Sequence, residues 1–322
     1  MKPRILVTRR MPPAVTRRTE SLFDAALNPE DRLFGTDGVL ERAGGRHGLL
    51  ICPTERLPAD AIARLPDEVK IVATYSVGFE HIDIAAAAAR GIVVTNTPDV
   101  LTDATAEIAM LLMLAAARRA TEGSDMVRQD RWRAWALDML CGVQLSGKRL
   151  GILGMGRIGR ATAARARAFG MTIHYHNRSE LPPDLAQGAT FHADVESLLK
   201  VSDFLSLHAP ATPETRGLLN AERIALLPPG AVVVNTARGD LVDDEALLAA
   251  LRSGKLFAAG LDVFAGEPNI HPGYRELENV FLLPHLGSAT TETREAMGMT
   301  ALDNLEAFFA GRPVPNPVTP PR

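Results

Sequence analysis

Three glycines in six residues, Gly154, Gly156 and Gly159, stand between an apolar run, Leu150 to Leu153, and a helix-forming stretch, Arg160 to Phe169. In that setting each has a job. Gly154 permits a tight turn, Gly156 lets backbone approach a pyrophosphate, and Gly159 lets helix and strand pack closely. The amides of Gly154, Met155, Gly156, Arg157 and Ile158 would then face the phosphates of a dinucleotide, where the helix dipole favours negative charge. Glycine-rich turns are common, so the pattern alone is weak. Its place between strand and helix, with Gly170 closing the helix, is what points to a cofactor. An acidic residue after the second strand would bind the ribose hydroxyls of NAD. The strand Thr172 to His176 ends instead in Asn177, Arg178 and Ser179, which offer a guanidinium and two small polar groups to the 2′-phosphate of NADP. NADP is therefore the expected cofactor, with NAD still open and a solvated loop arginine as the ordinary reading of Arg178.

The elements that must position this loop follow an alternating pattern. Four apolar runs, Ile5 to Thr8, Leu49 to Cys52, Ile71 to Thr74 and Ile92 to Thr95, are separated by helix-like segments. They are continuously apolar, as parallel strands covered on both faces require. After Thr97-Pro98-Asp99, Thr102 can cap a long helix from about Asp103 to Arg119, read as an interdomain hinge helix. A second series follows: Leu150 to Leu153, Thr172 to His176, Phe204 to Leu207, Ala231 to Asn235, Ala258 to Leu261 and Val280 to Leu283. The expected fold class is α/β, with two Rossmann-like, doubly wound parallel-sheet domains. A helix from Thr291 to Ala310 is expected to return to the first domain. That gives a discontinuous substrate-binding domain, 1–101 and 288–322, and an NAD(P)-binding domain, 102–287.

Composition narrows the function class. At 46% hydrophobic, 23% charged and a net charge of -3, the 322 residues suit two packed domains and offer no dense basic face for nucleic acid. The apolar stretch Ile108 to Ala117 is far shorter than the roughly 20 residues that span a bilayer, so no membrane partner is expected. The first residues lack the apolar core and cleavage site of a signal peptide, and a cytoplasmic location is the expectation. Cys52 and Cys141 have no paired spacing and read as inert packing residues. His174, His176 and His192 have no metal-ligand spacing, and no metal is expected.

Several further segments resemble those of the D-isomer-specific 2-hydroxyacid dehydrogenase family, over nearly the whole chain. They are Ser76-Val77-Gly78-Phe79-Glu80-His81-Ile82-Asp83, Asn96-Thr97-Pro98, Thr102 to Glu107, His208-Ala209-Pro210, Asn235-Thr236-Ala237-Arg238-Gly239, Gly260 to Phe264, Glu267-Pro268 and Pro284-His285-Leu286-Gly287. The resemblance implies an active site in the cleft between the two domains and a homodimer formed through the nucleotide-binding domains. It implies Arg238, Glu267 and His285 as the catalytic set. Their chemistry is coherent: reducing a 2-keto acid needs a hydride at the carbonyl carbon and a proton at its oxygen, which an imidazole can supply. Glu267 would hold one nitrogen of His285 and favour its protonated form by charge attraction. Arg238 would bind the substrate carboxylate in a fork, and the amides of Val77 and Gly78 would complete that pocket from the other domain. The resemblance further places Thr105, Ala209, Pro210, Thr215, Thr236, Ala237, Asp262 and Gly287 against the cofactor, with His208 in the Ala209-Pro210 turn. Taken one at a time, Arg238 reads as a surface arginine, His285 as a loop histidine and Glu267 as a turn residue. Their joint order is what argues otherwise.

Within that family the Trp132-x-x-Trp135 arrangement is similar to glyoxylate and hydroxypyruvate reductases, in which this segment forms a dimer loop. Trp135 would then cap a small hydroxylated substrate, or both indoles would pack the dimer interface. Arg133, Ala134 and the stretch Ala136 to Cys141 depart from the expected pattern, so a larger keto acid such as 2-ketogluconate stays open. From a different class, a dinucleotide-sensing corepressor-like scaffold is the rival, opposed by the lack of an extended tail or docking element. Phosphoglycerate dehydrogenase is disfavoured because no regulatory module follows residue 322, and formate dehydrogenase because it would carry Gln where Glu267 stands.

Overall fold

The computed structural model describes residues 1–320. Its chain divides into two compact units, one comprising Met1–Leu101 and the chain from Ala289 onward, the other Thr102–Ser288. Residues 321 and 322, placed in the first domain from sequence, lie outside the described residues.

In chain order the first unit opens with β1 (Arg4–Val7), α1 (Pro13–Leu22), β2 (Asp24–Ala26), α2 (Gly35–Arg42), β3 (Gly48–Ile51), α3 (Ala59–Arg64), β4 (Ile71–Thr74), α4 (Ile84–Ala89) and β5 (Val93–Thr95). The second unit contains α5 (Thr102–Ala117), α6 (Ala120–Arg128), β6 (Arg149–Leu153), α7 (Arg157–Ala168), β7 (Thr172–His176), α8 (Pro183–Ala186), β8 (Thr190–Phe191), α9 (Val195–Val201), β9 (Phe204–Leu207), α10 (Ala221–Leu226), β10 (Ala231–Asn235), α11 (Asp244–Arg252), β11 (Leu256–Leu261) and β12 (Val280–Leu282). The chain then returns to the first unit with α12 (Thr291–Phe309) and β13 (Pro317–Val318).

The first sheet runs β13-β5-β4-β3-β1-β2, parallel except for β13. Successive residues of β1 face opposite layers: Ile5 and Val7 pack with Val15 of α1 and Leu302 of α12, while Leu6 packs with Val39 of α2 and Ile62 of α3. The second sheet, β12-β11-β10-β9-β6-β7-β8, is parallel throughout. Val232 and Val234 of β10 face the α5 and α7 layer, and Val233 faces Leu198 of α9 and Leu247 of α11. Covered faces explain why these strands read as unbroken apolar runs. Short polar side chains start the helices between them: Asp83 accepts from the Ala86 amide at 2.8 Å, Asp194 from Ser197 at 2.7 Å and Asp243 from Ala246 at 3.1 Å.

Strand order places β6 between β9 and β7, so the chain leaves β6 in one direction and later returns on its other side. The crevice at the carboxyl ends of β6 and β9 is therefore a topological switch point, the usual ligand position in an open parallel sheet.

Several boundaries differ from those the sequence predicts. β2, β8 and β13 are unforeseen because two or three residues at a sheet edge carry no readable period. The helix after the glycines starts at Arg157, three residues before the expected Arg160. Thr102 is the first residue of α5 rather than its cap, and α5 stops at Ala117, with Arg119 in a left-handed conformation at φ 54°. α5 is also a structural layer of the second unit, with Leu112 and Met113 fully buried against its sheet.

The closeness of α5 to β11 depends on Gly260. A β-carbon there would lie 2.8 Å from both the Cβ and the carbonyl oxygen of Leu112. Gly260→Ala should therefore cost about 1–3 kcal/mol through overpacking, read as a lower melting temperature in calorimetry. An unchanged transition would contradict this packing.

Candidate active site

Three consecutive strands of the second unit end in the loops that carry the expected catalytic residues. Beyond β10, the buried Asn235 side chain clamps the turn, accepting from the Ala237 amide at 2.9 Å and donating to the Arg238 carbonyl at 2.8 Å. This presents Arg238 at the rim, where its Nη1 donates to the Ala237 carbonyl at 2.6 Å. Gly239 follows because nothing larger fits: a β-carbon would sit 1.8 Å from the Phe264 carbonyl carbon. That contact brings the Arg238 turn against the loop after β11, which carries Glu267.

Glu267 turns its carboxylate back on its own loop, with Oε1 accepting from the Phe264 amide at 2.7 Å and Oε2 lying 2.7 Å from His285 Nδ1. Burial alone would raise the Glu267 carboxyl, but the His285 hydrogen bond, the Phe264 amide and the charges of His285 and Arg238 outweigh it and hold the group below its ordinary value. Glu267 is therefore ionised and can only accept. His285 must donate through Nδ1–H, which leaves Nε2 as the nitrogen that exchanges a proton with a ligand.

Asp262, ending β11, holds the His285 loop in place. Its two carboxylate oxygens accept from the Leu286 amide at 2.6 Å and the Gly287 amide at 2.8 Å, and its carbonyl accepts from the His285 amide at 2.9 Å. Burial pushes this carboxyl up; the two amides and the His285 charge work against that. Thr105 of α5 completes the clasp by donating to the Gly287 carbonyl at 3.0 Å. Sequence reasoning placed Asp262, Thr105 and Gly287 against the cofactor and missed this shared role. The available signal was a carboxylate closing the buried strand Gly260-Leu261-Asp262.

The glycine loop fits a dinucleotide on the geometry of this chain. Gly154 has φ 94°, and a β-carbon there would lie 2.6 Å from the Ala209 amide nitrogen, so the loop abuts the His208-Ala209-Pro210 turn at the switch point. A β-carbon on Gly159 would lie 2.6 Å from the Gly154 carbonyl oxygen, whereas one on Gly156 would meet nothing within 4 Å. Gly156 thus faces open space at the head of α7, where Arg157 and Ile158 begin the helix. The Thr236 hydroxyl, beside Ala237, is buried with no hydrogen-bond partner in the protein, a state it shares with Thr95, Thr97 and Thr162. Thr215 knits the facing loop, donating to the Pro210 carbonyl at 2.7 Å. Burial pushes His208 down to about 4, so it is neutral, with Nε2 2.8 Å from Ser206 Oγ.

At the end of β7, Asn177 accepts from the Met155 amide at 2.7 Å and so ties this strand end to the glycine loop. Arg178 and Ser179 are exposed beside it. Val77 and Gly78 follow β4 in the first unit, both half-buried. Trp135 is 72% exposed and Trp132 53%, so neither is packed within its own chain. Cys141 is exposed, which corrects its reading as a packing residue; Cys52 is largely covered, and burial pushes its thiol up to about 12. His174 Nδ1 and His192 Nε2 pair at 3.1 Å. Among the described residues, no group of three or more His, Cys, Asp or Glu side chains is arranged to hold a metal ion, and no helix is long and apolar enough to cross a membrane.

The sequence profile described as the D-isomer specific 2-hydroxyacid dehydrogenase, NAD binding domain, matches residues 110–287. This chain belongs to the D-isomer-specific 2-hydroxyacid dehydrogenase family. It is 48% identical over 312 residues to a glycerate dehydrogenase of Hyphomicrobium methylovorum, covering 96% of this chain and 97% of that protein. It is 41% identical over 320 residues to a glyoxylate reductase of Thermococcus litoralis, covering 98% and 96%. The solved NADPH-dependent glyoxylate/hydroxypyruvate reductase of Sinorhizobium meliloti, in complex with NADP and malonate, superposes with a TM-score of 0.87 at 36% identity, covering 99% of this chain and 97% of that one. The chain is thus a D-2-hydroxyacid dehydrogenase with two Rossmann-like domains and an NAD-binding domain of the family type.

The lowered Glu267 carboxyl has a consequence for stability. Its contribution is complete above the unfolded carboxyl value of about 4.3 and is lost as pH falls through the lower folded value. Glu267→Gln should therefore destabilise the protein more at pH 7 than near pH 3, measured by denaturant midpoints at the two pH values. An equal effect at both would remove the charge argument.

Proposed function

We propose that this dehydrogenase reduces a small 2-keto acid, glyoxylate or hydroxypyruvate, to the corresponding hydroxy acid, using NADPH in preference to NADH. The observation that carries the reading is the 2.7 Å contact between His285 Nδ1 and Glu267 Oε2, with Arg238 on the neighbouring strand end. The relatives named for glycerate and for glyoxylate support it together, because oxidising glycerate at C2 yields hydroxypyruvate, and the two names describe one reaction on small acids of two and three carbons.

Bound along Gly154 to Ile158, NADPH would supply the hydride that the keto carbon accepts. Arg238 binds the substrate carboxylate in a two-pronged ion pair and fixes which face of the carbonyl is presented. His285 Nε2–H gives its proton to the carbonyl oxygen as the C–H bond forms, and Nδ1–H stays with Glu267, which stabilises the imidazolium before transfer. The balance is keto acid, NADPH and a proton to hydroxy acid and NADP⁺. In the reverse direction the same nitrogen takes the hydroxyl proton. Asn177 is neutral where NAD-specific sites use an acid, and Arg178 and Ser179 stand beside it for the 2′-phosphate. The exposed Trp132, Trp135 and Leu137, the last 87% exposed, support a homodimer in which a second copy covers this segment and Trp135 lies over the partner's substrate.

Initial rates of NADPH and NADH oxidation with glyoxylate and hydroxypyruvate test the proposal. NADPH should give the higher kcat/KM, and equal or better use of NADH would overturn the cofactor assignment. His285→Ala should lower kcat by about 100- to 10,000-fold while NADPH binding, followed by fluorescence, changes little. Surviving turnover would mean another group is the acid.

A further inference from the structure

The segment after β4 has a feature that the reaction just described does not use. Two successive carbonyls, those of Ser76 and Val77, face the same neighbour: the Thr97 amide donates to Ser76 at 2.9 Å, and Asn96 Nδ2 donates to Val77 at 2.8 Å. In an extended chain successive carbonyls alternate in direction, so this pair marks a bend imposed from the end of β5. The peptide bonds here are trans, and in a trans peptide the amide points opposite to the carbonyl of its own plane. The Val77 and Gly78 N–H groups are therefore both turned away from Asn96 and Thr97, side by side, as a two-amide cradle for an anion.

A chain of hydroxyls secures the next carbonyl. Ser76 Oγ spends its one proton on the Gly78 carbonyl at 2.6 Å, so it must accept from Thr74 Oγ1 at 2.8 Å, and Thr74 must in turn accept from His81 Nε2 at 2.9 Å. Asn96 is braced as well. The fully buried Asn304 of α12 donates to the Asn96 carbonyl at 3.1 Å, while its Oδ1 accepts from the Asn316 amide at 2.9 Å; the Asn316 carbonyl accepts from the Asn96 amide at 3.3 Å. Two side-chain amides, those of Asn96 and Asn304, and the main chain of Asn316 thus converge on one peptide orientation.

We propose that Asn96 is a positioning residue for substrate binding: its carboxamide, with the Ser76 hydroxyl chain behind it, holds the Val77 and Gly78 amides toward the carboxylate of the 2-keto acid. This rests on the keto-acid reading above and extends it to residues that touch neither substrate nor cofactor. Asn96→Asp keeps the shape of the side chain but puts a carboxylate oxygen where the donor was, against the Val77 carbonyl, so the peptide loses its reason to face that way. Loss of a hydrogen bond to a charged group is typically worth about a tenfold change or more in affinity.

The experiment uses the full-length protein with saturating NADPH and compares wild type, Asn96→Asp and Ser76→Ala. For Asn96→Asp the KM for glyoxylate and the inhibition constant of oxalate should rise together by about tenfold or more, with kcat within about threefold and NADPH affinity unchanged. Ser76→Ala, which removes one hydroxyl without introducing charge, should move the same two constants less and decides the matter if the first variant does not fold. Oxalate and keto-acid constants that stay at wild-type values in the folded variants, or a loss confined to kcat, would overturn the inference. A wild-type protein that reduces no 2-keto acid would instead remove the functional reading beneath it, and that failure is visible before any variant is made.

Discussion

The hydrogen bond between Glu267 Oε2 and His285 Nδ1, 2.7 Å long, is the contact on which the chemistry depends. It does two things at once. It selects which imidazole nitrogen is available to a ligand, and it places an ionised carboxylate where an imidazolium gains from it. Neither effect needs the histidine to be buried: its side chain is 51% exposed and the glutamate's 32%, so the pair sits at a rim a substrate can reach.

That contact is only as good as the backbone beneath it, and backbone hydrogen bonds to buried polar side chains hold the backbone. Asp262 grips the amides of Leu286 and Gly287, Asn235 grips the Arg238 turn, and Gly239 lets the β10 and β11 loops touch. His285 itself has φ 56°, a conformation disfavoured for a side chain of its size, and the Asp262 clasp on both sides is what maintains it. A similar logic recurs in the first unit, where Asn96 and Ser76 hold the Val77 and Gly78 carbonyls. In both units the parallel sheet supplies fixed strand ends, and a carboxylate or carboxamide at the strand end converts that rigidity into the direction of a loop.

The sequence makes the sheet strands and the glycine turn legible because their signals are local. A run such as Val232-Val233-Val234 announces a strand covered on both faces, and Gly154, Gly156 and Gly159 announce a turn against a helix. The short edge strands β2 and β13 carry too few residues to declare a period. Side-chain grips on distant backbone were not legible either: the Asp262 bond to Leu286 spans 24 residues, and the Asn304 bond to Asn96 spans 208. A polar residue at the end of an apolar strand says that something is held, but not what. Arg238, Glu267 and His285 were readable only as members of an ordered set of family motifs, since each alone has an ordinary surface explanation. Trp135, read as a cap over substrate from a dimer loop, is 72% exposed on its own chain, and a role that needs a second copy has no local sequence signal.

Nitrogen-15 NMR of histidine-labelled protein, with the His285 resonances assigned by their absence in a His285→Gln variant, addresses the central contact directly. At a pH where the imidazole is neutral, the account predicts a proton on Nδ1, held toward Glu267, and a bare Nε2. A neutral His285 carrying its proton on Nε2 would contradict it, because the nitrogen assigned to proton transfer would then be the wrong one.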